Sequence, residues 1–392
     1  MNKKKIAYVT NHASFFFSHI LPIAAKAKKR FDIKLFHGLS GSKKMELYAL
    51  KKLKEYKIPT SKFKLTTSGL SLYSELIAMI SLLRSINIFK PDIIHCATPK
   101  GILYGGLVSR ILNIKSLVIF NTGMGFLFSN KLNLYEKVIK NLYILILKNI
   151  ILKHKNKKII IENNDDINFF KKVYKVNQRD IVFIKGAGVN LKKFRPNYSL
   201  SNNLVLMPSR VIKEKGIFEF ATAAMNLKGK FPEWHFSIAG AIDYNKKSSF
   251  SKKQLAYLNK IKDVKFMGYI KDMRSIYKNS GIVCLPSYRE GFSKVFLEAA
   301  AMGIPIVTSN VIGCKDSIKP GITGLLCESK SAKSIEKKIQ FLIENKNIRS
   351  KFSKNARKFA LQNFDINKVI SKNISIYIGL INNEKKTNFS RT

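Results

Sequence analysis

The stretch GIVCLPSYREGFSKVFLEAAAMGIPIVTS, Gly281 to Ser309, decides the fold. Gly281–Pro286 is a short apolar run rich in β-formers, Ser293–Met302 has helical composition with Gly303 placed to end it, and Ile304–Thr308 is apolar and β-branched again. That pattern is one βαβ unit, two parallel strands joined by a crossover helix. Glu290 falls in the loop after the first strand and Glu298 on the helix, so both carboxylates sit near the carboxyl end of a strand, where open α/β sheets bind ligands. Isolated glutamates are more often caps or solvated helix residues. Glu298, however, is flanked by Val295, Phe296, Leu297 and three alanines, and no other charge lies between Lys294 and Lys315. An unpaired carboxylate is costly in such surroundings, and the hydroxyl groups of a bound ligand are expected to satisfy it.

Upstream, strands are expected at Leu204–Met207, Trp234–Ala239 and Val264–Met267, a helix at Gly216–Leu227, and a helical region from about Ser331 onward. Arg210 and Lys215 immediately precede the helix at Gly216, whose N-terminus favours anions. Together they suit a diphosphate, Arg by its fork and Lys as a point charge, although in so lysine-rich a chain they also read as a surface cluster. Gly240 and the run Gly268-Tyr269-Ile270 lie at two further strand ends and suit backbone contact with a nucleobase.

The first half repeats the alternation. Strands are expected at Ile6–Thr10, Ile33–His37, Ile93–Cys96, Leu117–Phe120, Ile159–Ile161 and Ile181–Ile184, with helices at about His19–Lys29, Lys43–Tyr56, Tyr73–Asn87 and Gly101–Leu112. Strand alternating with helix means a parallel, doubly wound sheet. Three strand-end loops are candidate site walls: Asn11–His19 with His12, Ser14 and His19; Ala97–Gly101, where Lys100 opens a helix and suits an anion; and Asn121–Phe126, where Thr122, Gly123 and Gly125 let backbone approach a ligand. Each also reads as an ordinary turn or solvated side chain. Gly186–Asn190 looks like a hinge, and Pro196 with the polar run at 199–203 marks a boundary. The expected organisation is residues 1–190, residues 191–365, and a C-terminal helix from 366 packing back on the first domain before a polar tail.

Lys and Arg number 71 against 24 Asp and Glu, a formal charge of +47, which invites an acidic partner or a diffusely basic surface. Lysine dominates and no nucleic-acid motif occurs, so an anionic membrane surface is the expected partner and nucleic acid is not. Cys96, Cys284, Cys314 and Cys327 show no CxxC spacing and read as buried thiols in a reducing compartment. The N-terminus reads as strand, loop and helix rather than as a signal peptide. No run reaches the roughly 20 apolar residues of a membrane-spanning helix. Leu132–Leu152, apolar with lysines at 137, 140 and 148 and followed by KHKNKK, reads either as a helix lying in a membrane surface or as a packed helix with a basic end.

Taken in order, SR…KEKG from Ser209, F-x-G from Phe266, LPS from Leu285, E-G-F-S-K-V-x-L-E-A-x-A-x-G-I-P-I-V from Glu290 and GITGLL from Gly321 resemble the retaining glycosyltransferases of family 4. The resemblance covers nearly the whole chain and is most specific in the second half. It implies the GT-B fold, two doubly wound Rossmann-like domains facing each other across a cleft, and transfer from a nucleotide sugar without a metal or further cofactor. It also implies roles. Arg210 and Lys215 hold the nucleotide diphosphate, Glu290 contacts donor-sugar hydroxyls, Glu298 binds the ribose, and the backbone at Gly291, Phe292, Ser293 and Lys294 faces the phosphates and sugar. His19, Lys100, Thr122, Gly123 and Gly125 fall on the acceptor side. Many members have a histidine in the loop before G-F and a Gly-rich first loop, and this chain has neither. With Thr98-Pro99-Lys100, those departures resemble the bacterial branch that builds surface polysaccharide or lipid-linked oligosaccharide, often moving N-acetylated hexosamines from UDP to a polyprenyl-diphosphate-linked acceptor at the cytoplasmic membrane face. A non-hydrolysing UDP-N-acetylglucosamine 2-epimerase and a non-catalytic basic membrane-surface protein are the rival readings. The intact set of Arg210, Lys215, Glu290 and Glu298 argues against the second.

Overall fold

The computed structural model describes residues 3–39, 43–65, 72–124, 128, 132–196, 202–242 and 249–389. Contacts divide the chain into two compact units, Met1–Ala187 with Lys368–Thr392, and Gly188–Asn367.

The first unit alternates β1 (Lys5–Thr10), α1 (Ala13–His19), α2 (Leu21–Ala27), β2 (Asp32–His37), α3 (Lys43–Glu55), β3 (Thr60–Lys62), α4 (Leu72–Phe89), β4 (Ile93–Ala97), α5 (Pro99–Ile111), β5 (Ser116–Asn121), α6 (Leu134–Asn149), β6 (Lys157–Ile161), α7 (Asn164–Tyr174) and β7 (Ile181–Phe183). Its strands are parallel in the order β3-β2-β1-β4-β5-β6-β7. The β-branched runs of β1, β4 and β5 are buried because helices cover both faces, as a parallel sheet requires. Val9, Ile94 and Ile119 pack with Leu82, Val108, Leu147 and Phe170 of α4 to α7. On the other face Ile6, Tyr8 and Leu35 pack with Phe16, Ala24 and Leu53 of α1 to α3.

The second unit contains β8 (Leu204–Pro208), α8 (Ile217–Lys230), β9 (His235–Ala239), α9 (Lys252–Lys260), β10 (Val264–Phe266), α10 (Arg274–Tyr277), β11 (Ile282–Leu285), α11 (Lys294–Ala301), β12 (Ile306–Ser309), β13 (Gly324–Cys327), α12 (Ala332–Glu344) and α13 (Lys346–Asn363). Its sheet is parallel in the order β10-β9-β8-β11-β12-β13. β11, α11 and β12 are the unit read first in the sequence, with Cys284 opposite Val307 in the paired register.

The last helix, α14 (Ile366–Phe389), returns to the first unit. Tyr377 is fully buried between Tyr8 of β1 and His95 of β4. Burial pushes the His95 imidazole down to about 3, so the ring is neutral. Tyr8 donates to the Tyr377 oxygen at 3.3 Å, and Tyr377 bonds His95 Nδ1 at 2.7 Å. These bonds engage both hydroxyls and Nδ1, while His95 Nε2 stays buried without a partner.

One expectation for the first unit needs correction. The helix expected from His19 starts at Ala13, because Glu46 of α3 accepts the N–H groups of Ala13 and Ser14 at 2.7 and 3.1 Å while His12 caps Phe15. Pro22 lacks the N–H to continue that helix, so the segment breaks at Ile20 into α1 and α2. His19 therefore ends a helix rather than opening one. All four cysteines are free and buried. Among the described residues no helix is long and apolar enough to cross a membrane.

Candidate functional site

The carboxyl edge of the second sheet is where the acidic and basic residues converge. β8 ends at Pro208, and the chain then runs through exposed Arg210 and a short helical turn at Lys213–Lys215 into α8. β11 ends at Leu285, and the loop that follows carries Ser287, Tyr288 and Glu290 before α11. These loops meet because β8 and β11 are adjacent at the switch in strand order, the usual ligand-binding position of such sheets.

Lys215 Nζ is ion-paired with Glu290 Oε1, and the buried Ser287 hydroxyl donates to the same oxygen at 2.7 Å. The two charged side chains are 17% and 11% exposed, sheltered enough for the pair to act in a reduced dielectric. Tyr288 ties the loop to its neighbour. Its N–H donates to the Glu214 carbonyl at 2.9 Å, its hydroxyl donates to Glu219 of α8 at 2.6 Å, and Lys330 lies over its ring. From the other side the Glu290 N–H donates to the Ile312 carbonyl at 3.2 Å.

Gly313 makes that last approach possible. Its φ is +76°, and a Cβ there would overlap the carbonyl oxygens of Glu290 and Gly291. Gly313→Ala is expected to cost about 1–3 kcal/mol from backbone strain alone and to displace the Glu290 loop. A thermal melt and a turnover assay test it, and unchanged values in both would show that the loop does not depend on this packing.

Glu298 on α11 is 12% exposed and is not without partners, as its apolar sequence context implied. Tyr277 of α10 donates to Oε2 at 3.2 Å, and Lys294, one helical turn back, stands 3.6 Å from Oε1. Burial pushes its pKa up, with Lys294 and Tyr277 opposing. Burial together with the Glu298 charge raises the Tyr277 hydroxyl, which stays a donor. Ser293 caps α11 without a side-chain hydrogen bond, so no side chain caps the helix N-terminus.

The other second-half residues are distributed around this centre. The Phe292 ring is buried against Phe364, 5.8 Å between centroids, so only its backbone is available to a ligand. Gly240 follows β9, and a Cβ there would overlap the Ser209 carbonyl oxygen, so no side chain fits. Gly268 has open space around it, Tyr269 is half-exposed and Ile270 packs partly on the core.

In the first unit, Lys100 already holds an anion from the chain itself: Glu75 of α4 lies 2.7 Å from its Nζ and also bonds Tyr104. His19 stacks on Phe15 at 4.4 Å and pairs its Nδ1 with Ser18. Thr122 and Gly123, the latter at φ 108°, follow β5, and Gly125 lies outside the described residues. The sequence reading passed over a buried polar group at the ends of β5 and β6. Asn121 and Asn163 both donate to Asp166, at 3.0 and 3.1 Å, and burial beside Asp166 pushes Glu162 well above the usual carboxylate range. Ser287, Tyr288 and Tyr277 were also missed. Ser287 stands in the quoted LPS, but Tyr277 lies 21 residues before Glu298 on another element and has no local signal. Among the described residues no group of three His, Cys, Asp or Glu is placed to hold a metal.

Two parallel doubly wound units, with an ion pair at the strand-end switch point of the second, are the architecture of the GT-B fold, and the comparisons agree. Anabaena HepE in complex with UDP-glucose superposes with a TM-score of 0.76 at 18% identity, over 96% of this chain and 99% of that one. Residues 5–163 match the family described as "Glycosyl transferase 4-like" and residues 190–359 match "Glycosyl transferases group 1". The N,N'-diacetylbacillosaminyl-diphospho-undecaprenol alpha-1,3-N-acetylgalactosaminyltransferase of Campylobacter jejuni is 31% identical over 322 residues, 78% of this chain and 81% of that protein. The UDP-Gal:alpha-D-GlcNAc-diphosphoundecaprenol alpha-1,3-galactosyltransferase of Escherichia coli is 26% identical over 91% of both chains. The chain belongs to the family 4 glycosyltransferases, which decides for glycosyl transfer over epimerisation.

Proposed function

We propose that this chain transfers an N-acetylated hexosamine from its UDP-sugar to a hydroxyl of a saccharide carried on polyprenyl diphosphate, working against the inner face of the cytoplasmic membrane. The observation that carries the reading is the Lys215–Glu290–Ser287 network beside α11, in a chain whose relatives act on diphospho-undecaprenol glycans.

Each residue then has a task. Lys215 and Arg210 neutralise the diphosphate, and the N–H groups at the start of α11 add their dipole. Glu290, whose two protein donors converge on Oε1, accepts donor-sugar hydroxyls on its other oxygen. Glu298 accepts from the ribose. Gly240 and Gly268-Tyr269-Ile270 line the base, while His19, Thr122 and Gly123 lie on the acceptor side. As the bond from the anomeric carbon to the diphosphate breaks, charge grows on the departing UDP, and fixed cations stabilise it without reorganising. The acceptor oxygen bonds the anomeric carbon on the same face, and its proton passes to the leaving diphosphate oxygen. Configuration is retained and no protein nucleophile is needed.

The test is a donor panel of UDP-N-acetylgalactosamine, UDP-N-acetylglucosamine and UDP-galactose against an undecaprenyl-diphosphate-linked hexosamine in excess EDTA. UDP release with a lipid product one N-acetylhexosamine heavier is expected. Transfer of galactose alone, or none without a divalent metal, would overturn the corresponding part.

A further inference from the structure

On the helical layer of the first unit, α4 and α6 both pack on α5 and bury one side in the same core, Ala78, Leu82 and Ile86 from α4, Tyr143 and Leu147 from α6. At about 100° per residue the opposite side of α4 presents Tyr73, Leu76, Ile80 and Ile88, and that of α6 presents Leu134, Val138, Leu142 and Leu145. All eight are exposed, from 42% at Ile80 to 82% at Ile88. An amphipathic helix on a water-facing surface should be polar there, and both helices that pack on α5 break the rule in the same direction.

The exposed charged side chains on these helices and at their ends are all cationic, and the nearby Asp92 is engaged by Lys4. Arg84, Lys90, Arg110, Lys115, Lys137 and Lys153 are exposed. The acids of the two helices are engaged inward: Glu75 with Lys100 and Tyr104, and Glu136, buried, in the capping box with Asn133. Apolar side chains rimmed by uncompensated lysine and arginine match an anionic bilayer, whose headgroups pair with the cations while the stripes enter the acyl boundary. We infer that the outward faces of α4 and α6 together form the membrane-docking surface of the first unit, with an anionic lipid bilayer as its occupant. The inference deepens the proposed membrane-side function by naming the surface, and it stands on exposure and charge in the first unit alone. α6 alone would be a weak anchor; a second four-residue stripe on α4, joined to it through α5, doubles the apolar area offered to the bilayer.

The experiment uses the full-length protein with vesicles of phosphatidylcholine alone or with one-third phosphatidylglycerol. Wild type is expected to sediment with the anionic vesicles, less so as salt rises, and at least tenfold more weakly with the neutral ones. Leu76→Asp/Ile80→Asp on α4 and Val138→Asp/Leu142→Asp on α6 are each expected to weaken anionic-vesicle binding at least tenfold with an unchanged melting temperature. Both should keep UDP release towards a water-soluble acceptor analogue and lose it towards acceptor embedded in vesicles. Loss with the soluble analogue in wild type would fail the catalytic reading and leave the docking surface standing. Absent wild-type binding, variants that bind as wild type, or a wild-type dimer that these substitutions make monomeric in light scattering would overturn it.

Discussion

Glu290→Gln is expected to lower kcat by about 10²–10³ while leaving UDP bound as tightly as in the wild type, or more so, the size seen when one preorganised polar contact to a transition state is removed. The asymmetry follows from the ion pair. In the resting protein Glu290 neutralises Lys215, so removing its charge leaves a bare cation where the proposed diphosphate sits, and only the sugar contact is lost. Lys215→Ala should act oppositely. UDP affinity and turnover both fall, and the protein loses stability, because a sheltered carboxylate keeps only the Ser287 hydroxyl. The double variant Lys215→Ala/Glu290→Ala is expected to regain much of that stability and none of the activity, which separates the structural pair from its catalytic use. Calorimetric UDP titration with single-turnover kinetics checks all three. A Glu290→Gln enzyme at wild-type kcat, or one that binds UDP more weakly, would refute the assignment of Glu290 to the sugar and Lys215 to the diphosphate.

What the sequence revealed and what it hid divide along the range of the interactions. β11, α11 and β12 were legible because a buried parallel strand is a continuous apolar run and a crossover helix has its own period, both properties of neighbours in the chain. The edge strand β3, Thr60–Lys62, was not, since it is short, polar and paired only with β2. The structure brings Lys215 and Glu290 together at one sheet edge, but the partners of the other charged residues came from elsewhere in the chain. Lys100 looked ready for an anion and holds Glu75. Glu298 looked unpaired and bonds Tyr277. Phe292, quoted in the motif, is a core residue against Phe364. A motif records which side chains stand in a loop, while long-range packing decides which of their atoms remain available. The same limit applies to α4, whose outward apolar stripe becomes evident only once its other side is seen to fill the core.

Glu298→Gln is expected to raise KM for the nucleotide sugar about 10- to 100-fold with a smaller change in kcat, the loss of a charge-assisted hydrogen bond of about 1.5–3 kcal/mol to a part of the donor remote from the breaking bond. The same variant should melt at a higher temperature than wild type near neutral pH. Burial raises the folded-state pKa of Glu298 above its unfolded value, against the pull of Lys294 and Tyr277. The native protein therefore holds that proton more tightly than the unfolded chain does. Stability tied to the protonated carboxyl is fully present below the ordinary carboxylate pKa of about 4.3 and is lost as pH rises through the elevated one. Glutamine, which cannot ionise and can still accept from Tyr277, escapes that loss, so its advantage appears at neutral pH and shrinks to nothing towards about pH 4. In wild type the donor KM should correspondingly rise on acidification before an ordinary glutamate would titrate. Melting curves of both proteins across that range, with KM measured in parallel, give the outcome. A Gln variant less stable at neutral pH would mean that the ion pair with Lys294 outweighs burial, and an unchanged KM would take Glu298 out of the donor site. A gain in stability at the expense of substrate affinity is the expected mark of a carboxylate kept in an unfavourable place for binding.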